Sequence, residues 1–328
     1  MKQSISMNLL VARVIAGRAF LVKTPACIPY YAKLKRWLFM GIQGAIVYGR
    51  PRLGKTSASR WILGAIQQVF GKVPYVEVPI RKQHLHNEGA FFQFLLKCCR
   101  HKYYSRGTVA DKRDRLFEAL LGRARRSSIR TVILFIDEAH ELEELHYQWL
   151  RNVSNELDMA GYRLFCLLVG QPELAAKRDS LLLEDGMEQI VSRFMTEIWM
   201  FSGLKDANEL RSVLRAYDLA RFPADDGRPF VEYFVPLAFT HGWRLESLAD
   251  HIWNEYETCW NDLAIKVRLE VGMQYVTSTV IAILNLASAH DRENLLVNQG
   301  AIKDCVKQSG FATAALVLNS LKQASKRR

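Results

Sequence analysis

Acidic residues are missing from the whole of Met1 to Val76, a stretch that carries twelve Lys or Arg; the first carboxylate is Glu77. Such a segment cannot neutralise its own charge. No apolar run approaches the roughly 20 residues that cross a bilayer. The longest, such as Val132–Ile136 and Val280–Leu284, are the size of core elements, so no membrane span is expected. The apolar stretch Leu9–Phe20 is interrupted by Arg13 and Arg18, unlike the core of an export signal, so the sequence predicts a cytoplasmic protein. Six cysteines include no CxxC pair, and no His/Cys cluster has zinc spacing. They read as free thiols in a reducing compartment. With 9 Pro and 19 Gly, no internal repeat and no low-complexity tract, collagen-like and disordered classes are excluded.

What is present is an ordinary globular composition: 328 residues, 49% hydrophobic and 24% charged. At about 150 residues per domain this length allows roughly two. The net charge of +12 is unevenly distributed, with 25 basic against 5 acidic residues up to Arg130 (+20) and 20 against 28 from Thr131 onward (−8). Within Lys97–Arg130, eleven basic side chains face three acidic ones beside the pair Tyr103-Tyr104. A solvated helix face is the bland account of such a run. Its size and the interleaved aromatics favour contact with phosphate backbone, with Arg81, Lys82, Lys97, Lys102, Arg106 and Lys112 as the candidate DNA-binding set. A basic front and an acidic back also suit head-to-tail assembly of identical chains.

Short β-branched runs alternate with amphipathic stretches, the pattern of a parallel sheet covered by helices. Strands are predicted at Ala45–Tyr48, Val73–Ile80, Thr131–Ile136, Arg163–Val169 and Thr196–Phe201. Helices are predicted at Thr56–Phe70, Glu88–Tyr103, Asp111–Arg126, Glu143–Ala160 and Gly186–Phe194. Beyond Phe201 the strand signal stops, and helices are predicted at Asp206–Ala220, Phe230–Thr240, Leu245–Trp260 and Gln274–Ala287. The expected organisation is a basic N-terminal segment (1–40), an α/β core (41–203) and a smaller all-helical region (204–328) ending in a basic tail, Lys326-Arg327-Arg328.

Gly49-Arg50-Pro51-Arg52-Leu53-Gly54-Lys55-Thr56 fits G-x-x-x-x-G-K-[ST], directly after one predicted strand and directly before a helical pattern. A loop of this kind wraps backbone N–H groups around phosphate oxygens, and the following helix N-terminus adds partial positive charge. Lys55 is expected to reach the β- and γ-phosphates of ATP, and Thr56 to ligate Mg²⁺. Asp137 and Glu138 end the apolar strand Val132–Ile136. A lone Asp-Glu pair is often just an acidic helix start. With the phosphate loop upstream, Asp137 reads as the second metal-holding residue and Glu138 as the group that activates water, which points to hydrolysis.

Three further motifs join these: Gly170-Gln171-Pro172-Glu173-Leu174 after the fourth strand, Ser192-Arg193-Phe194 before the fifth, and Gly242-Trp243-Arg244 in the helical region. Together, spanning Gly49 to Arg244, they resemble the AAA+ ATPases, whose fold is an α/β P-loop core with a five-stranded parallel sheet followed by a helical lid. The G-Q-P-E-L turn and the compact size look like the TnsC/TniB/MuB group of transposition regulators, of the sort found in Tn7-like and CRISPR-associated transposons. That resemblance implies a sensor-1 role for Gln171, an arginine finger at Arg193 acting on a neighbour's site, and a sensor-2 role for Arg244. It also implies an ATPase that oligomerises as a ring or filament on double-stranded DNA and links a target-selection protein to a transposase. A replication initiator or helicase loader shares the core and is the alternative. A protein remodeller is disfavoured because the loop Arg81–His86 lacks the aromatic that grips polypeptide, and a non-enzymatic scaffold because it has no use for Glu138 and Arg193. His84, His86 and His140 read as surface or satisfied histidines, Glu141, Glu143 and Glu144 as a solvated helix start, and the seven tryptophans as core.

Overall fold

All five predicted strands form, as β1 (Gly44–Tyr48), β2 (Tyr75–Pro79), β3 (Thr131–Asp137), β4 (Arg163–Gly170) and β5 (Glu197–Met200). In the computed structural model, which describes residues 22–81, 87–222, 227–263, 265 and 267–317, they make one parallel sheet of order β2-β3-β4-β1-β5. Lys82, His84, His86, most of the basic N-terminal segment and the Lys326-Arg327-Arg328 tail lie outside the described residues. The interior strands are apolar along almost their whole length because helices cover both faces: Val132 to Ile136 and Leu164 to Val169 are all buried.

The chain divides into two compact units. One comprises residues 29–51 and 58–201; the other comprises 52–57, 202–317 and the described part of 1–28. In the first, the sheet is flanked by α1 (Cys27–Phe39), α2 (Lys55–Ala65), α3 (Gln67–Phe70), α4 (Glu88–Cys98), α5 (Val109–Ala124), α6 (Glu144–Met159), α7 (Pro172–Leu181) and α8 (Glu188–Phe194), with α1 and α2 each shared in part with the second unit.

Differences from the predicted helices have local causes. The run Thr56–Phe70 breaks at Ile66, where the Gln67 amide bonds to the carbonyls of Leu63 and Val73 and to the Val73 N–H, turning the chain into β2. The helix predicted to reach Tyr103 stops at Cys98: Arg100 takes a left-handed φ of 54°, and the Arg123 guanidinium takes up the Cys99 carbonyl. The G-Q-P-E-L segment starts a helix, α7, with Pro172 in its first turn, where a missing N–H costs nothing. Helix α1 lay unread within the basic segment, although Tyr30, Leu34 and Trp37, all fully buried, have helical spacing.

The second unit contains α9 (Ala207–Leu219), α10 (Pro236–Thr240), α11 (Ala249–Asp262), α12 (Met273–Ser288) and α13 (Gln299–Gln308), with a small hairpin of Arg221–Phe222 and Arg228–Pro229. Pro236 divides the predicted helix Phe230–Thr240. Its core is aromatic: Tyr256 and Phe311 meet edge to face at 4.8 Å, and the Tyr256 hydroxyl pairs with Thr279 at 2.7 Å. Among the described residues no helix is long and apolar enough to cross a membrane. All six cysteines are thiols; burial pushes Cys98 and Cys166 up to about 12, which makes them inert.

Candidate nucleotide site and basic surface

Parallel register brings three strand ends together. Tyr48 pairs with Gly170 and Ile136 with Leu168, so β1, β3 and β4 finish side by side. Each passes directly into a motif: β1 into the Gly49–Thr56 loop, β3 into Asp137-Glu138, β4 into Gln171. The Gly49 N–H donates to the Gly170 carbonyl at 3.3 Å, closing the edge where the loop departs. Carboxyl ends of strands beside a change in strand order are where open α/β sheets bind ligands.

The loop suits an anion. Arg52 and Gly54 take positive φ values of 67° and 99°, the kind of turned backbone from which anion-binding loops are built. α2 then starts at Lys55 with no acidic residue in its first turn to offset its N-terminal partial charge. α2 is anchored behind by Ser59, whose buried hydroxyl pairs with the Tyr30 hydroxyl at 2.8 Å. The left-handed Arg52 is also tied down: its carbonyl accepts from the Gln274 N–H at 3.3 Å and its guanidinium donates to the Tyr275 hydroxyl at 3.3 Å. The second half of the loop therefore groups with the helical unit.

Arg60, one turn beyond Thr56, is a residue that sequence reasoning missed. Its Nε lies 3.0 Å from both carboxylate oxygens of Glu77 on β2, and that ion pair, with Asp137 adding to it, raises the guanidinium pKa. The first acidic residue of the chain is thus the counter-ion of a helix that begins at the phosphate loop. At the end of β3, Asp137 Oδ1 accepts from the Glu138 N–H at 3.1 Å. Glu138 is itself left-handed, with φ 56° and ψ 37°, in a position that glycine or asparagine usually fills. Gln171 precedes α7 in extended conformation, and both its main chain and its amide face His140. His140 is therefore satisfied, as expected, but by residues of this site.

Arg193 is not brought to this edge. It ends α8 beside the start of β1, where a Cβ on Gly44 would lie 2.5 Å from Phe194 Cα, so the two segments touch backbone to backbone. Four strand steps of roughly 3.3 Å put this roughly 13 Å from the loop end of β1. A polar cleft of about 540 Å³ lies there, lined by Gln43, Arg151, Asn152, Asn155, Gln189 and Arg193. Arg193 Nη1 is buried, 3.6 Å from Asp158, with no hydrogen-bond partner among the described residues. Arg244 is engaged within the helical unit: Nη1 donates to the carbonyls of Phe239 and Trp243, both at 2.7 Å, and the guanidinium stacks 3.8 Å over the Phe239 ring.

The basic run splits into two ends rather than one face. Lys97, Arg100, Lys102 and Arg106 are exposed around the α4–α5 loop, with Lys102 and Arg106 each 5.5 Å from the exposed Tyr103 ring. Arg125 and Arg126 are exposed beyond the far end of α5, a 16-residue helix roughly 24 Å long. Between them several cations hold the fold. Lys112 donates to Gln93 at 2.9 Å, Arg115 to the Tyr103 carbonyl, and Arg123 to the carbonyls of Ala119 and Cys99. Arg81 is exposed just after β2.

Sheet order, phosphate loop and acidic strand end define an AAA+ P-loop fold, here joined to a helical C-terminal region. Residues 42–177 match the family described as AAA domain. The chain is similar to the Aeropyrum pernix ORC2 protein, at TM-score 0.59 and 13% identity over 88% of this chain and 69% of that one. It is also similar to Cdc6p from Pyrobaculum aerophilum, at TM-score 0.51 and 16% identity over 83% of this chain and 65% of that one. At such identities the likeness is one of fold. No curated protein sequence matches the chain.

Proposed function

We propose that this protein is an ATP-dependent DNA-binding AAA+ ATPase whose copies assemble head to tail on duplex DNA. The observation that carries the reading is the division of the motifs: the start of the loop, the acidic pair and Gln171 at one edge of the sheet, Arg193 at the other. A site of that kind lacks its arginine until a neighbour's opposite edge approaches it.

In this reading the Gly49–Gly54 backbone and Lys55 hold the phosphates, and Thr56 and Asp137 hold Mg²⁺, which when bound neutralises charge on the phosphate oxygens. Glu138 orients a water and accepts its proton, and Gln171 donates to the terminal phosphate. Arg193 from the neighbour stabilises the charge of the transferring group, an effect on the order of 10³ to 10⁵ in rate. A sensor role for Arg244 requires its guanidinium to exchange the Phe239 and Trp243 carbonyls for a phosphate oxygen. Lys97, Arg100, Lys102 and Arg106 would contact DNA backbone with little dependence on sequence. Of the two biological settings, a replication initiator or loader is favoured, because an ORC protein and a Cdc6 protein are among the solved structures similar in fold. A handover to a transposase rests on the G-Q-P-E-L segment and the compact size.

Electron microscopy of the protein with duplex DNA and a non-hydrolysable ATP analogue tests the reading. Wild type and Glu138→Gln assemble, Lys55→Ala does not, and Glu138→Gln binds ATP without turning it over. A wild-type chain that stays solitary with nucleotide and duplex in excess would refute it.

A further inference from the structure

His140 stands between the two residues that the proposed hydrolysis needs on the protein side. Its Nδ1 is 3.5 Å from Glu138 Oε2 and 3.5 Å from the Gln171 main-chain nitrogen; its Nε2 is 3.4 Å from the Gln171 amide and 3.7 Å from Glu141 Oε1. Its side chain is only 13% exposed.

Three separate devices hold the ring there. The short turn Ala139–Glu141 is launched by the left-handed Glu138. Lys177 from α7 donates to the carbonyls of His140, at 2.7 Å, and Leu142, clamping that turn against the end of β4. Gly170 supplies the seat: a Cβ there would lie 3.3 Å from both the backbone nitrogen and Nδ1 of His140, and 3.0 Å from Leu174. A histidine that merely filled space would need none of these.

The hydrogen-bond chemistry gives the ring a direction. The Gln171 main-chain N–H can only donate, so Nδ1 facing it acts as acceptor and a neutral ring carries its hydrogen on Nε2. That hydrogen meets the Gln171 side chain in the amide orientation that presents Oε1, an assignment the network decides. Nδ1 then has no proton to give Glu138. The carboxylate is bounded by the ring on one side without being hydrogen-bonded by it, and keeps its oxygens for water.

We propose that His140 is a positioning residue for ATP hydrolysis: seated on Gly170, its imidazole orients the Gln171 amide through Nε2 and limits the swing of the Glu138 carboxylate through Nδ1. This rests on the ATPase reading above. It makes no contact with phosphate itself, so its loss should reduce turnover and leave nucleotide binding intact. Residues that orient reacting groups in this way are worth 10- to 100-fold.

The test is steady-state hydrolysis by full-length protein with Mg²⁺–ATP and duplex DNA, comparing His140→Phe, which keeps the bulk, with His140→Gln, which keeps a donor and an acceptor. His140→Phe should lower kcat about 10- to 100-fold with KM within about twofold. His140→Gln should recover most of it. In a Gln171→Ala background the effect of His140→Phe should shrink to under about threefold, since half of its function is already gone. His140→Ala serves in the same cycle if the phenylalanine does not fit. A ¹⁵N spectrum of the imidazole gives a readout independent of turnover, with Nδ1 expected unprotonated and Nε2 protonated. Wild-type kcat in His140→Phe, equal effects with and without Gln171, or an Nδ1–H tautomer would each overturn the inference. Absence of any Lys55-dependent hydrolysis in the wild type would instead overturn the ATPase reading and this inference with it.

Discussion

Replacing Glu138 by glycine and by alanine gives opposite results according to whether its backbone is strained. At φ 56°, ψ 37° a side chain with a Cβ costs about 1–2 kcal/mol, and glycine costs nothing. Glycine carries a counter-charge of about 0.4–1 kcal/mol, because its unfolded chain has more freedom to lose. At an unstrained position only the second effect operates and alanine is the more stable variant. Here the difference leaves Glu138→Gly ahead of Glu138→Ala by about 0.5–1 kcal/mol. Packing does not confuse the comparison, because the Glu138 side chain is 51% exposed and both variants remove everything beyond Cβ. Native-state hydrogen exchange of the amides of Val132–Ile136, buried in the strand that ends at this residue, measures the effect. Their exchange should be about two- to fivefold slower in the glycine variant, while neither variant hydrolyses ATP. Equal or faster exchange in Glu138→Gly would refute the claim that strain is stored at the acidic strand end.

Other expectations follow from the same geometry. Replacing Lys97, Lys102 and Arg106 together by alanine should reduce the slope of log K against log salt for duplex binding by about 3, at about 0.9 for each lost phosphate contact. Lys112→Ala should leave the slope unchanged, because that ammonium is bonded to Gln93; an equal effect from Lys112 would displace the DNA surface from the α4–α5 loop. In the helical unit, Asp218 accepts from the N–H groups of Leu245 and Glu246, both at 2.9 Å, yet burial outweighs them and pushes its pKa from 3.8 up to about 6. A carboxyl with a folded pKa above its unfolded one takes up protons on folding between the two. Its favourable effect is therefore complete below about pH 4 and is lost as pH rises through 6, amounting to about 3 kcal/mol at most. The stability difference between wild type and Asp218→Asn, followed by thermal unfolding from pH 4 to 7, should fall with pH; a flat difference would show that the carboxyl titrates normally.

Much of the α/β unit was legible in the chain because its signals are local. A strand buried on both faces must be apolar throughout, and Val132–Ile136 and Leu164–Val169 are. A phosphate loop needs small residues and a lysine at fixed spacing, and Gly49–Thr56 supplies them. Helices were missed where another signal was read in their place: α1, whose helical spacing lay in a segment read for its charge, and α7, whose opening Gln-Pro looked like a turn.

What the amino-acid order determined by itself was the set of elements, the motif residues at their ends and the segregation of basic from acidic charge, all of which depend on neighbours a few positions apart. Only the tertiary structure decided which of those residues meet. Register between β1, β3 and β4 brings together the strand ends Tyr48, Asp137 and Gly170, which lie far apart in the sequence, and leaves Arg193 at the far edge. Side chains of equal charge then part ways: Lys102 and Arg106 stay exposed, while Lys112, Arg115 and Arg123 turn to carbonyls and an amide that need donors. His140, indistinguishable in sequence from His84, comes to rest between Glu138 and Gln171, packed closely against Gly170.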